Sequence, residues 1–124
     1  MVRLNFYEEM GGEQTIRRIV DTFYPKVLAD PLIGPLFPDG IEEVKEKQFL
    51  FLSQFFGGPP LYSERFGHPM MRARHMHVPI GIEEARAWLS CMRQTLEELE
   101  LPDELREAMM DRLSGPAYHF MNRT

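Results

Sequence analysis

The sequence predicts an all-α fold, and two observations carry that prediction. Four stretches of the chain repeat apolar residues at spacings of three and four, which places those residues on one face of a helix. Clusters of proline and glycine separate these stretches, as is typical of helix ends and turns. No stretch of useful length alternates apolar and polar residues like a half-buried strand, and the chain has no internal repeat.

Length and composition narrow the class of protein. A chain of 124 residues has the size of one domain, so we expect residues 1–124 to form one domain. The net charge of -5 argues against a nucleic-acid partner and against anchoring on anionic lipid, both of which favour basic surfaces. There is no apolar run of membrane-spanning length and no apolar signal core, so we expect a cytoplasmic protein. The single cysteine, Cys91, excludes an internal disulfide framework.

The first periodic stretch follows Gly11-Gly12. Its apolar face consists of Ile16, Val20, Phe23, Tyr24 and Val27. Tyr24 carries the only hydroxyl on that face, and a buried phenol usually bonds a nearby carbonyl. Pro25 lacks a backbone donor, so we expect the helix to be distorted from there.

The second periodic stretch comes after a proline-rich connector, residues 30–40, which carries Phe37. Its apolar face consists of Ile41, Val44, Gln48, Phe51, Leu52 and Phe55. Gln48 is a polar amide at the centre of that face, and burying an amide without a partner costs about 1–3 kcal/mol. It therefore bonds either a neighbouring helix or a ligand.

Two more helices are predicted in the second half of the chain. Gly57-Gly-Pro-Pro60 ends the second helix, and residues 61–67 are expected to form an irregular loop that carries Tyr62. A third helix begins near Ile82 and holds Trp88 on its inner face, where the indole N–H needs a partner. A fourth begins near Pro102, and we expect Gly115-Pro116 to bend or split it.

The segment from His68 to Ile80 is the most unusual part of the chain. It contains three of the four histidines, together with Arg72 and Arg74. Imidazole is a common ligand of iron, copper and zinc, and guanidinium groups fit carboxylates. Haem carries both a metal and carboxylates. Iron held by an axial histidine keeps its opposite side open, where polar donors decide what binds.

Several motifs, in this order along nearly the whole chain, carry a resemblance to a known family. They are Phe23-Tyr24, Leu36-Phe37-Pro38, Gln48 four residues beyond Val44, Gln54-Phe-Phe-Gly-Gly-Pro-Pro-Leu-Tyr62, Gly67-His-Pro-Met-Met-Arg-Ala-Arg-His75, Val78-Pro79-Ile80 and Trp88-Leu-Ser-Cys-Met92. The chain resembles the truncated haemoglobins, specifically the second of their three main groups.

The resemblance implies a truncated globin fold, a two-over-two helical sandwich around haem b, with His75 as the iron ligand. It places Tyr24, Val44, Gln48 and Trp88 at the distal site where small ligands bind. The cofactor-binding residues that it implies are Phe37, Lys47, Phe51, Leu52, Tyr62, Met71, Arg74, Ile80 and Trp88. Of these, Arg74, Tyr62 and Lys47 correspond to groups near the haem propionates.

This sequence departs from the family pattern at a few positions. Val44 stands where relatives often carry a small residue or threonine, which would narrow the entrance beside that helix. His77 stands where relatives often have proline, and we expect it to face solvent. Pro25 and Gly115-Pro116 lie where relatives continue a helix.

The function implied by the resemblance is reversible O2 binding by haem, used for O2-dependent redox chemistry or ligand detoxification. Oxidation of nitric oxide and peroxide-dependent oxidation are the candidate reactions, and both need an electron donor. Other possible ligands are NO, CO, peroxide and sulfide, and the expected assembly is a monomer or weak homodimer. One alternative is a sensor or scavenger of O2, NO or sulfide without turnover.

A second alternative is a helical metal- or protein-binding module without haem. Its candidate ligands are His68, His75, His77 and Cys91, although their spacing matches no closed zinc pattern.

Overall fold

The structure is a computed structural model that describes residues 5–123, except for the side chains of Arg72 and Arg74. Its helices are α1 (Phe6–Met10), α2 (Gly12–Ala29), α3 (Ile41–Phe55), α4 (Leu61–Phe66), α5 (Met71–His75), α6 (Ile82–Glu98) and α7 (Asp103–His119), with a 3-10 turn at Gly34–Leu36. The described residues contain no strand, so the all-α prediction is confirmed. None of the described helices is both long and apolar enough to cross a bilayer.

The four long helices form two packed pairs. Helix α2 packs against α3, α6 packs against α7, and contacts between α2 and α6 join the pairs. The predicted apolar faces of α2 and α6 meet in the core between them. The predicted face of α3 is mostly half-buried, and that helix buries Phe49, Leu50 and Ser53 together with the predicted Leu52. Side chains that are almost completely buried there include Ile16, Phe23, Val27, Leu52, Met92, Leu96 and Met109.

Helix α2 continues through Pro25 and does not end there. It is one α-helix from Gly12 to Ala29. Proline removes the hydrogen bond to the carbonyl four residues earlier, that of Asp21. Asp21 and Pro25 are both exposed, so this carbonyl lies on the solvent side. Val27, fully buried beyond the proline, keeps the helix packed on the core.

Helix α7 likewise runs through Gly115-Pro116, and the prediction that these residues split it was wrong. The α-helix extends from Asp103 to His119. The carbonyl that loses its partner belongs to Arg112, which is exposed. On the other face, Leu113 is buried and Ala117 packs against the core, which holds the helix on both sides of the proline.

The segment after α3 was predicted to be irregular, but it forms the short helix α4. Gln54, near the end of α3, holds it in place. Its amide donates to Ser63 Oγ at 2.8 Å and accepts from the Ser63 backbone N–H at 2.9 Å. A helix of six residues is too short for its periodicity to be recognised in a sequence.

The end of α3 itself lies where the sequence predicts it. Gly57 has φ +96°, a conformation that glycine adopts readily. A Cβ on Gly58 would come within 2.6 Å of the Tyr7 ring and 2.8 Å of the Ser53 carbonyl oxygen. The two glycines therefore permit both the turn and the close approach of α1 to α3.

Candidate functional site

An apolar cavity lies among the connector after α2, α3, α5, the segment before α6, and the inner faces of α6 and α7. Most of its lining is aliphatic or aromatic. The lining residues are Ile33, Leu36, Phe37, Gln48, Phe51, Leu52, Phe55, Met71, His75, Val78, Ile80, Glu84, Ala85, Trp88, Leu113, Pro116, Ala117 and Phe120. An apolar cavity with a few polar groups is typical of a small-molecule or cofactor site.

His75 is the last residue of α5 and presents its imidazole to this cavity. Its Nδ1 lies 2.6 Å from the Met71 carbonyl oxygen, one helical turn earlier. A carbonyl only accepts hydrogen bonds, so Nδ1 carries the proton and Nε2 carries the free lone pair. Metal-binding histidines commonly use this arrangement, because it fixes both the tautomer and the ring orientation.

The other side of the imidazole is packed by Phe120, directly after α7. The two rings are nearly parallel, with centroids 4.6 Å apart and an angle of 8° between their planes. Asn122, two residues further on, bonds the backbone around His75. Its Nδ2 donates to the His75 carbonyl oxygen at 3.2 Å and to the Val78 carbonyl oxygen at 2.8 Å.

Two of the predicted polar donors, Gln48 on α3 and Trp88 on α6, line the cavity. No described residue forms a hydrogen bond with either side chain. Each of these two residues is half-buried. A half-buried amide and an indole N–H that face an apolar cavity are free to donate to something held there.

Tyr24 lies beside the cavity without being among its lining residues. Its side chain is buried, and its ring packs edge-on against that of Phe37, which lines the cavity. Burial raises the pKa of the phenol well above its ordinary value, so the hydroxyl stays protonated. Within the described residues 5–123 this hydroxyl has no hydrogen-bond partner, although buried polar groups are normally paired.

The remaining predicted cofactor-binding residues, together with the predicted distal residue Val44, divide into two sets. Those that line the cavity are Phe37, Phe51, Leu52, Met71 and Ile80. Val44, Lys47 and Tyr62 do not: Val44 packs against the core, and Lys47 is exposed with Nζ 3.4 Å from Glu43 Oε1. Tyr62 is buried and packs edge-on against Phe51 at 6.0 Å. The side chain of Arg74 lies outside the described part of the structure.

Sequence reasoning did not single out several residues at this site, among them Phe120, Asn122 and Glu84. Phe120 and Asn122 contact the His75 segment across more than forty residues of sequence, which no local pattern reveals. Glu84 lines the cavity, and its Oε1 accepts from the Gly81 backbone N–H at 2.8 Å. Glutamate three residues after a helix N-cap is a capping signal, so the sequence did contain a sign of this last contact.

The alternative of a histidine and cysteine metal site finds no support in the geometry. His68 and His77 are exposed, and Cys91 is buried in the core. Among the residues that the structure describes, no three His, Cys, Asp or Glu side chains gather closely enough to hold an ion. The exposure of His77 agrees with its predicted position in solvent.

These features define a small helical protein with an apolar cavity that is lined in part by one oriented imidazole. A model of the bacterial-like globin family matches residues 5–122. The group 2 truncated haemoglobin YjbI of Bacillus subtilis (strain 168) is 48% identical over 116 residues, which cover 94% of this chain and 88% of that protein.

Solved structures are also similar to this chain, in both fold and sequence. The group II truncated haemoglobin of Bacillus anthracis is 42% identical, with a TM-score of 0.96 over 100% of this chain and 96% of that one. The haemoglobin of Chloroflexus aurantiacus is 49% identical, with a TM-score of 0.92 over 98% and 100% of the two chains. The chain belongs to the bacterial-like globins and, within them, to the group II truncated haemoglobins.

Membership in this family confirms the two-over-two architecture and implies ligand binding through haem. The cavity residues fit such a group. Apolar side chains suit the faces of a porphyrin, and the imidazole keeps a lone pair on Nε2. Tyr24, Gln48 and Trp88 supply donors that no described residue uses.

Proposed function

We propose that the chain binds haem b in this cavity, with His75 Nε2 as the only protein ligand to iron. The observation that supports the proposal is the hydrogen bond from His75 Nδ1 to the Met71 carbonyl, which leaves the lone pair of Nε2 available to a metal. When bound, the haem iron supplies an open coordination position for a diatomic ligand and a one-electron redox couple.

We further propose that Tyr24, Gln48 and Trp88 donate hydrogen bonds to a polar ligand such as O2. They come from three helices, α2, α3 and α6, and no described residue pairs with their donors. An acceptor held among them would give each of these donors a partner. The apolar lining strengthens such bonds, because the local dielectric constant is low.

The roles of the other predicted residues stay predictions. Arg74 would pair with a haem carboxylate, aided by Tyr62 and Lys47, and Val44 would narrow the entrance to the distal side. Haem carboxylates need a cation at the mouth of an apolar cavity, since a buried charge without a partner is costly. Lys47 is exposed and close to Glu43, which makes Arg74 the better candidate.

Three donors around one ligand favour tight binding and slow release. Each bond contributes about 1 kcal/mol, or more when the acceptor is charged. Two or three together slow release by about 100-fold, since 1.4 kcal/mol corresponds to a factor of ten. A haemoglobin from Bacillus subtilis whose structure is described as oxygen-avid is 46% identical to this chain.

Slow release suits O2-dependent redox chemistry or detoxification better than bulk transport. We propose oxidation of nitric oxide or a peroxide-dependent oxidation, with electrons from a separate donor protein. The second candidate is a sensor or scavenger of O2, NO or sulfide without turnover. The unpaired donors of the cavity suit both functions, and only turnover distinguishes them.

The first experiment is the absorption spectrum of the purified protein, reconstituted with haemin where necessary. We expect a Soret band in the isolated protein, a shift after dithionite, and a stable oxygenated spectrum after return to air. A second experiment measures NO consumption and nitrate formation by the oxygenated protein with a reducing system. Repeated turnover supports the redox function, and a single stoichiometric reaction supports the sensor or scavenger. Failure to retain stoichiometric haem would contradict both.

A further inference from the structure

The segment that follows His75 is held by one side chain from the far end of the chain. Asn122 Nδ2 donates to the carbonyl oxygens of His75 and Val78, at 3.2 and 2.8 Å. Its Oδ1 accepts from the Ile80 backbone N–H at 3.0 Å. One amide therefore uses both its donor and its acceptor groups on the six residues from 75 to 80.

The backbone on both sides of this amide strengthens the contact. The N–H groups of Asn122 and Arg123 both donate to the Ile80 carbonyl oxygen, at 2.8 and 3.1 Å. Residues 75–80 have only a few local hydrogen bonds, such as that from Val78 N–H to the His75 carbonyl at 2.9 Å. The connection between α5 and α6 is thus fixed mainly through the C-terminal residues.

The same C-terminal residues touch the imidazole as well as its backbone. The Phe120 ring lies parallel to the His75 ring, with centroids 4.6 Å apart. Asn122, two residues after Phe120, donates a hydrogen bond to the His75 carbonyl. The Met71 carbonyl holds Nδ1 from a third direction. His75 is therefore restrained in three ways. Phe120 restrains the plane of its ring, the Met71 carbonyl restrains the rotation of the ring, and Asn122 restrains the backbone.

We propose that Asn122 is a positioning residue for His75, setting how the imidazole presents Nε2 to the haem iron. The inference rests on the proposed role of His75 as the iron ligand. An amide that fixes the ligand's own backbone controls the distance and tilt of that nitrogen. Groups that orient a metal ligand in this way alter the properties of the metal without touching it.

The test compares Asn122→Ala and Asn122→Asp with the natural protein and with Asn5→Ala. Aspartate keeps the shape of the side chain and the acceptor for Ile80, but replaces the donor with an oxygen facing two carbonyls. Asn5→Ala is the matched control. This substitution removes a long-range hydrogen bond, from the Asn5 amide to the Gly57 carbonyl at 2.7 Å, and the side-chain cap of α1. Neither contact involves His75.

The primary measurement is the iron–imidazole stretching band in the resonance Raman spectrum of the reduced, ligand-free haem protein. Both Asn122 variants should shift or broaden this band, because the imidazole samples more than one position. They should also lose haem to an acceptor apoglobin about five times faster, which corresponds to about 1 kcal/mol. Asn5→Ala should lower the melting temperature without moving the band.

Each outcome is decisive. A band that is unchanged in both Asn122 variants, or one that moves equally in Asn5→Ala, would overturn the positioning role. If neither Asn122 variant folds while Asn5→Ala does, Asn122 supports the whole fold and the specific proposal fails. Absence of an iron–imidazole band in the natural protein would instead overturn the role of His75 itself.

Discussion

Tyr24 and Trp88 pack edge-on against the same ring, that of Phe23, with centroids 5.1 Å from it in each case. The angles between the planes are 81° for Tyr24 and 68° for Trp88. Phe23 is fully buried. Because protein interiors are closely packed, we expect a change in either neighbour to reach the other through this ring, so that Tyr24 and Trp88 are coupled.

This coupling leads to a prediction for O2 release. Tyr24→Phe and Trp88→Phe should each raise the O2 dissociation rate by about five-fold, since a hydrogen bond contributes about 1 kcal/mol. The double variant should depart from additivity by about 0.5–3 kcal/mol, the range found for residues in contact. Stopped-flow mixing measures all three rates.

Carbon monoxide provides the control for the same three variants. It is a poorer hydrogen-bond acceptor than O2 when bound, so its dissociation rate should change less. Additive effects on O2 release would mean that the donors act independently. No change in any variant would remove Tyr24 and Trp88 from the ligand site altogether.

Burial of the Tyr24 phenol predicts a pH dependence of stability. Burial raises the pKa in the folded state, whereas the unfolded chain ionises near pH 10. The stabilisation is therefore complete below pH 10 and is lost as the pH rises further, by about 1.4 kcal/mol per unit. Tyr24→Phe has no phenol to ionise at this position, so the free energy of unfolding of the natural protein should fall relative to that of Tyr24→Phe as the pH rises above about 10.

Urea unfolding between pH 8.5 and pH 11 (about the range in which free tyrosine ionises) measures that difference. Tyr118→Phe is the matched control, because Tyr118 is an exposed phenol on α7. A difference between the natural protein and Tyr24→Phe that does not vary with pH would show that the phenol is accessible to water in the folded state.

Phe120→Leu should weaken haem retention. Leucine keeps the site apolar but removes the flat surface against the His75 imidazole. An aromatic contact contributes about 0.5–1.5 kcal/mol, which corresponds to haem loss about 2–10 times faster. Transfer of haem to an acceptor apoglobin measures the rate.

The control for Phe120→Leu is Phe55→Leu, a substitution of another cavity-lining phenylalanine. The Phe55 ring packs against those of Phe51 and Phe56, away from the imidazole. Equal haem loss in the two variants would mean that Phe120 acts as a general lining residue and has no special effect on His75.

The fold was largely predictable, because the apolar residues of a long amphipathic helix recur at spacings of three and four in the sequence. The apolar stripes of α2 and α6 were largely read correctly from spacing. On α3 only Leu52 of the predicted stripe is fully buried, and the buried residues Phe49, Leu50 and Ser53 were missed. Prolines were misjudged because their effect depends on which side of the helix loses a hydrogen bond. At Pro25 and Pro116 the affected carbonyls belong to exposed residues, a fact that only the folded helix reveals.

The site was predictable to the extent that single residues stand out chemically. Gln48 is conspicuous as an amide on an apolar face, and His75 as an imidazole among arginines and methionines. The prediction that these two residues lie in one site came from the family resemblance and not from the residues themselves. Phe120 and Asn122 stayed hidden, because their contacts join residues more than forty positions apart through the packing of α7.

The central claim is that His75 Nε2 binds the haem iron, and replacement of this residue tests it most directly. The measurement is the haem content and reduced absorption spectrum of His75→Gly, with and without added imidazole, beside His68→Ala and His77→Ala. We predict that His75→Gly loses the natural spectrum and most of its haem, that free imidazole restores the spectrum, and that both controls are unaffected. An unchanged imidazole-ligated spectrum in His75→Gly without added imidazole would contradict the assignment.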